Sequence, residues 1–229
     1  MNEYKVKFIE FMVRSGVLTF GDFVTKSGRN TPYFVNTGNY KTGRQASMLG
    51  EFYAECLMEN IEKGNITKDI TSLFGPAYKG IPLAVSTAAA LWNNHNMDVN
   101  YCFNRKEVKD HGEGGKMVGY KLQDKDNVVI IEDVITAGTA IRETLPQLKA
   151  AADVNIAGLI ISVDRMERGQ GEMTAIQEIE RDFGIKTYPI VTVKEVIEVL
   201  HNRPVDGKVY ITDEIKAKME EYMSKYCVK

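Results

Sequence analysis

Five short apolar runs punctuate the chain: Ser72-Leu73-Phe74, Val99 to Phe103, Val128 to Ile131, Ile156 to Val163 and Thr187 to Val191. Each has the length of a strand, and Val and Ile dominate the third and fourth. Between and after them lie longer stretches with apolar residues at helical spacing, which predict helices over roughly 81–93, 138–151, 172–183 and 193–201. Runs without polar alternation predict strands buried on both faces, as a parallel sheet covered by helices requires. The expected fold class is α/β, a doubly wound and mainly parallel sheet core.

Before that core, Lys5 to Arg14 and Gln45 to Glu62 have amphipathic helical spacing. They flank a Gly-, Thr- and Asn-rich segment, Thr19 to Gly43, that suits hairpins and loops able to cap the sheet. After it, Thr212-Asp213-Glu214 is a helix-start signal, and the mixed-charge stretch that follows predicts a helix with a packing or solvent-covering role. No repeat or Pro/Gly/Ser-rich linker divides the chain. One domain is expected, with N-terminal helices and a hood over 1–66, the core over 67–205 and a C-terminal helical segment over 206–229.

Composition narrows the classes. With 44% hydrophobic and 26% charged residues in 229, the chain is neither disordered nor fibrous. Its 29 basic and 31 acidic side chains give a net charge of -2, without the basic excess of a nucleic-acid-binding protein. Anion binding must therefore be local. The longest uncharged stretch, Gly80 to Met97, is broken by Pro82 and three asparagines, and Ile81 to Trp92 is too short to span a bilayer. The N-terminal residues lack the continuous apolar segment of a signal peptide, so a cytoplasmic protein is expected. Cys56, Cys102 and Cys227 are far apart and form no C-x-x-C pair, which favours reduced structural thiols over a zinc site.

In open α/β sheets ligands bind beyond the carboxyl ends of the strands. The third run ends in Glu132-Asp133, then Val134-Ile135, then Thr136-Ala137-Gly138-Thr139-Ala140 and a helical pattern. The small and hydroxyl residues let backbone N–H groups close around a phosphate at a helix N-terminus. The two carboxylates suit ribose hydroxyls, or a metal reached through water. Together they specify a sugar phosphate. The first run ends in Gly75-Pro76-Ala77-Tyr78-Lys79-Gly80, a second strand-turn-helix junction at which Lys79 and Tyr78 are candidate diphosphate ligands. After the second run, Asn104 to Gly119 sets Arg105, Lys106, Lys109, His111 and Lys116 among four glycines, either a solvated hairpin or a closing lid that supplies cations.

Strand, two acids, two apolar residues and Thr-x-Gly-Thr resemble the 5-phosphoribosyl 1-diphosphate signature of the type I phosphoribosyltransferases, with Glu132 in place of the more common aspartate. The spacing Arg105-Lys106-x-x-Lys109-x-His111 closely resembles the mobile catalytic loop of the orotate-using members of that family. Two further segments carry the same resemblance: Lys26 to Asn36, and Ser162 to Gly169. In the first, Phe34 would cover a pyrimidine, Lys26 would reach an anionic edge, and Val35 stands where a second aromatic is frequent. In the second, Arg165 would grip a carboxylate bidentately, which favours orotate over purine bases that have none.

The resemblance implies a homodimeric, magnesium-dependent enzyme of pyrimidine synthesis. It would join orotate to 5-phosphoribosyl 1-diphosphate and release diphosphate and orotidine 5'-phosphate, with no nucleic acid or membrane as partner. Arg105, Lys106, Lys109 and His111 would be catalytic, with His111 either protonating the departing diphosphate or only binding it. Loop 104–119 would close over the neighbouring subunit's site. The sugar diphosphate would be bound by these four residues together with Lys26, Tyr78, Lys79 and 132–140, and orotate by Lys26, Phe34, Val35, Thr136 and Arg165. Mg²⁺ would be held mainly by substrate and water rather than by direct protein ligands. Two rivals are weaker. A regulator that only senses the sugar diphosphate would want a basic surface and could dispense with the lid, and a purine enzyme is opposed by Arg165 and the Phe34 segment. A nicotinamide dehydrogenase lacks its G-x-G-x-x-G.

Overall fold

A computed structural model describes residues 1–25, 28–106, 116–135, 138–169 and 171–228. Helix α1 (Glu3–Arg14) leads into the hairpin β1 (Leu18–Val24) and β2 (Asn30–Val35), a 3-10 turn over Thr37–Asn39, and α2 (Gly43–Glu62). The core continues as β3 (Ser72–Gly75), α3 (Gly80–His95), β4 (Asn100–Asn104), β5 (Met117–Gly119), β6 (Asn127–Ile131), α4 (Thr139–Ala151), β7 (Asn155–Asp164), α5 (Ala175–Phe183), β8 (Thr187–Thr192) and α6 (Val193–Leu200). A small hairpin, β9 (Pro204–Val205) and β10 (Lys208–Val209), precedes α7 (Asp213–Tyr226).

The main sheet has the order β5-β4-β3-β6-β7-β8, parallel except for the antiparallel edge strand β5. β5 is an addition to the predicted elements. Met117-Val118-Gly119 is too short to carry a periodic signal, and it becomes a strand only because the chain folds back along β4. The predicted helix at 172–183 begins instead at Ala175, because Thr174 accepts from Gln177 N and Gln177 reciprocates, closing a capping box.

Successive residues of each strand face opposite sides. Leu73, Val129, Ile131 and Ile160 pack into the layer built from α1, α2, α3, α6 and α7. Phe74, Val128, Ile130, Leu159 and Ile161 pack against α4 and α5. All nine are fully buried, each contributing roughly 1.5–3 kcal/mol of transfer free energy. No helix among the described residues is long and apolar enough to cross a membrane.

Within the first layer α2 and α3 meet at Gly50. A Cβ there would lie 2.3 Å from Ser86 O, a backbone atom that cannot swing aside. Gly50→Ala should therefore cost about 1–3 kcal/mol through overpacking, although alanine is the better helix former. Thermal unfolding should show a midpoint several degrees lower; an unchanged or raised midpoint would refute this contact.

Candidate active site

The sheet order changes direction between β3 and β6, because the chain runs outward through β4 and β5 and then returns to the other side of β3. The crevice beyond such a switch point is where an open α/β sheet accepts ligands. Both strand-to-helix junctions singled out above lie there.

At the first junction the turn from Gly75 to Gly80 is pressed onto the end of β6. A Cβ on Gly75 would lie 2.2 Å from Gly80 O, and one on Gly80 would lie 2.9 Å from Ile131 O. Only glycine fits at either position. The Ala77–Tyr78 peptide is cis. Ala77 N–H donates to Asn104 Oδ1 at 2.8 Å, and Asn104 Nδ2 donates to Gln147 Oε1 at 3.0 Å. Asn104 is buried and fastens the turn to β4. The sequence reading took it only as the first residue of the lid; an asparagine closing an apolar run was the available signal.

At the second junction the acidic pair divides its work. Asp133 Oδ2 accepts from Lys79 Nζ at 2.9 Å and from Thr37 Oγ1 at 2.7 Å, and Lys79 Nζ also donates to Thr37 Oγ1 at 3.0 Å. Asp133 Oδ1 accepts from Val134 N–H at 2.7 Å. Burial alone would raise the Asp133 carboxyl, but the Lys79 ammonium and the Thr37 hydroxyl outweigh it and hold it below the ordinary range. Glu132 points elsewhere: its side chain accepts from Asp133 N–H at 2.9 Å, and burial pushes its carboxyl up to about 8. At neutral pH the pair therefore offers one ionised carboxylate and one largely protonated acid. Tyr53 donates to the Glu132 carbonyl at 2.7 Å and Ser162 to the Asp133 carbonyl at 2.6 Å, which fixes the strand end. Thr37 and Tyr53 are not marked by the sequence and Ser162 is marked only as the first residue of the Arg165 segment, since hydroxyls from separate segments leave no spacing pattern. A cavity of 200 Å³ opens beside this cluster, walled by Tyr40, Leu49, Tyr53 and Leu83.

The two helices that begin here differ at their starts from α2, α5 and α6. α2, α5 and α6 start with threonine capping boxes, whereas α3 starts at Lys79 and α4 at Gly138 without any side-chain cap. Gly138 is left-handed at φ +69°, a conformation that favours glycine. The first N–H groups of α4 are thus left for an anion, whereas in α3 Gly80 and Ile81 N–H already donate to Pro76 O and Tyr78 O at 3.0 and 3.4 Å and Pro82 has none, so an anion there would depend on Lys79. Val134 and Ile135 are half-buried on the approach, and Thr139 and Ala140 are exposed on the first turn of α4. Thr136 and Ala137 lie outside the described residues.

Of the lid, Arg105 and Lys106 form one foot and Lys116 the other, closed by Arg105 N–H donating to Lys116 O at 2.7 Å. Lys106 Nζ sits 5.1 Å from the centroid of the Tyr78 ring, so a lid cation already touches the β3 turn. Lys109 and His111 lie outside the described residues, as does Lys26.

The base-directed residues are only partly brought together. Arg165, at the end of β7, lies over the Tyr33 ring at 4.5 Å. Its Nε and Nη2 donate to Glu167 Oε1 at 2.9 and 2.6 Å, so the bidentate edge expected for a carboxylate ligand is occupied within the chain. Phe34 falls on the opposite face of β2 from Tyr33 and packs its exposed ring on Phe23 at 5.7 Å. Half-buried Val35, not Phe34, shares the Tyr33 face.

An acidic strand end between two uncapped helices, with a hood above, defines a protein that handles a phosphorylated and hydroxylated sugar. The model of the phosphoribosyl transferase domain family matches residues 36–186. The chain is 60% identical over 229 residues to an orotate phosphoribosyltransferase of Clostridium beijerinckii, with 100% of both chains covered. It is 55% identical to that of Clostridium acetobutylicum, again over 100% of both. Among solved structures, an orotate phosphoribosyltransferase of Francisella tularensis superposes with a TM-score of 0.80 at 36% identity, covering 96% of this chain and 99% of that one. The chain belongs to the phosphoribosyltransferase family and, within it, to the orotate phosphoribosyltransferases.

The raised Glu132 carboxyl makes stability depend on pH in a defined direction. The unfolded chain ionises this group near 4.5, while the folded chain keeps the proton until about 8. Between those values the native state binds more protons, so this group's contribution to stability falls as pH rises. Glu132→Gln removes the dependence. Denaturant unfolding at pH 5 and pH 8 should show the variant gaining on the wild type with pH by an amount on the order of 3 kcal/mol. A constant difference would mean that Glu132 is ionised throughout.

Proposed function

We propose that the chain transfers the 5-phosphoribosyl group from 5-phosphoribosyl 1-diphosphate to orotate, giving orotidine 5'-phosphate and diphosphate in pyrimidine synthesis. The observation that carries the chemistry is the meeting of Lys79 and Asp133 at the switch point, which sets a diphosphate-binding cation beside a ribose-binding carboxylate. The base follows from full-length similarity to proteins named for orotate.

Loss of diphosphate leaves positive charge on ribose C1 and negative charge on the leaving group. Groups that meet the leaving group only as it departs accelerate the reaction. Lys79 is suited to this because its side chain is 64% exposed and its pairing with Asp133 is cheap to exchange for a diphosphate oxygen. Arg105, Lys106, Lys109 and His111 extend the set from the lid. The uncapped start of α4 receives the 5-phosphate, ionised Asp133 accepts from a ribose hydroxyl, and protonated Glu132 is able to donate. Arg165 meets the orotate carboxylate.

We further propose dependence on Mg²⁺, which when bound would neutralise diphosphate charge. The substrate's own oxygens and water are the hard oxygen donors that Mg²⁺ prefers, with Asp133 placed to reach the ion through water. A homodimer is proposed as well, with loop 104–119 reaching the neighbour. Support comes from Val85 and Trp92, two turns apart on α3, and Tyr101 on β4, all exposed apolar side chains. A cytoplasmic location fits the three free, buried cysteines.

The decisive assay offers orotate, uracil, adenine and hypoxanthine separately, with Mg²⁺ and 5-phosphoribosyl 1-diphosphate, and follows diphosphate release. Orotate alone should react, and clear preference for another base would overturn the assignment. Asp133→Asn should weaken the sugar diphosphate and spare orotate, as titrations of each ligand would show. Lys109→Ala should lower kcat by about 10²- to 10³-fold. Mixed with Arg165→Ala, it should recover about a quarter of wild-type activity, since half the dimers are mixed and each has one intact site. If subunits demonstrably exchange and activity stays low, the loop serves its own chain.

A further inference from the structure

Helix α7 has no part in the transfer described above, yet its side chains reach the base-directed arginine. Glu167 Oε1, which accepts from Arg165 Nε and Nη2, also accepts from the Tyr222 hydroxyl of α7 at 2.9 Å and from the Tyr33 hydroxyl of the hood at 3.4 Å. Tyr222 is buried, and its ring stands edge-on to Tyr33 with centroids 6.1 Å apart. The chain beyond α7 then pairs with the loop that carries Arg165. Arg168 N–H donates to Tyr226 O at 2.8 Å and Val228 N–H to Met166 O at 3.0 Å, across an antiparallel bridge between Glu167 and Cys227. Met166 itself is left-handed at φ +58°, a conformation that a residue with a side chain keeps only when its surroundings hold it. Asp164 Oδ1, accepting from Met166 N–H at 2.7 Å, and the C-terminal pairing do so.

We propose that Glu167 and Tyr222 are positioning residues for orotate, so that the C-terminal helix is part of the base site. Glu167 takes up the Nε–Nη2 edge of Arg165 and leaves the Nη1 end for the orotate carboxylate. Tyr222 and Tyr33 hold Glu167 from either side. A guanidinium ordered in advance loses less side-chain freedom when the ligand arrives, and orotate affinity gains accordingly. The inference rests on the reading that Arg165 meets the base.

Steady-state kinetics with each substrate varied in turn tests it on the full-length enzyme. Tyr222→Phe keeps the ring and removes only the hydroxyl, while Glu167→Gln removes the charge that fixes the guanidinium. KM for orotate should rise about fivefold in the first and about tenfold or more in the second, with kcat and the KM for 5-phosphoribosyl 1-diphosphate within about twofold of wild type. A merely structural role for α7 would weaken both substrates in parallel with a fall in melting temperature, and that result would overturn the proposal. Arg165→Ala separates the two levels. If it raises the orotate KM while Tyr222→Phe and Glu167→Gln do not, positioning is wrong and the role of Arg165 stands. If it leaves the orotate KM unchanged, the base-binding role fails and positioning fails with it.

Discussion

A sheet covered by helices on both faces has almost nowhere to put polar chemistry. Every Val, Ile, Leu or Phe of β3, β6 and β7 is committed to one layer or the other, and a charged side chain in that region would lose its solvation without a partner. Polar groups are therefore confined to the strand ends. At the switch point two crossovers diverge and leave a crevice that no helix fills. The positions of Lys79, Asp133, Ser162 and Arg165 all follow from that confinement, since each lies at or within a few residues of the end of a central strand.

Electrostatics inside the crevice then separates residues that look equivalent. Glu132 and Asp133 are adjacent carboxyls, but only Asp133 has an ammonium and a hydroxyl within 3.0 Å. The other is buried against its neighbour's N–H, and burial pushes its carboxyl up. Burial and partner charge thus drive two adjacent carboxyls in opposite directions without any difference in intrinsic chemistry.

The hood and the C-terminal segment are far apart in sequence, yet both lean on one carboxylate oxygen. Tyr33 comes from β2, Tyr222 from α7 and Arg165 from the end of β7, and Glu167 Oε1 joins them. Such a junction makes the geometry at Arg165 depend on how three separate segments pack, whereas the two strand-to-helix junctions depend mainly on the sheet.

The amino-acid pattern by itself determined the five parallel strands, their covering helices, the hairpin hood and both strand-to-helix junctions at the crevice. Each depends on neighbours within a few residues: unbroken apolar runs, glycines where the backbone must approach closely, and small residues at a helix start. The acidic pair and Arg165 were legible for the same reason. Strand β5, the hydroxyls of Thr37, Tyr53 and Ser162, and the fastening role of Asn104 were decided only by the tertiary structure, because β5 is too short to carry a period and each of the others acts on a partner more than twenty residues away and leaves no local spacing. Likewise the placement of Phe34 away from Arg165 follows from strand alternation once the register of β2 is set, and α7 gains its contact with Glu167 only through the chain's return across the loop after β7. Local sequence encodes which element forms and where a strand gives way to a helix. Which side chains share one oxygen atom is settled by long-range packing.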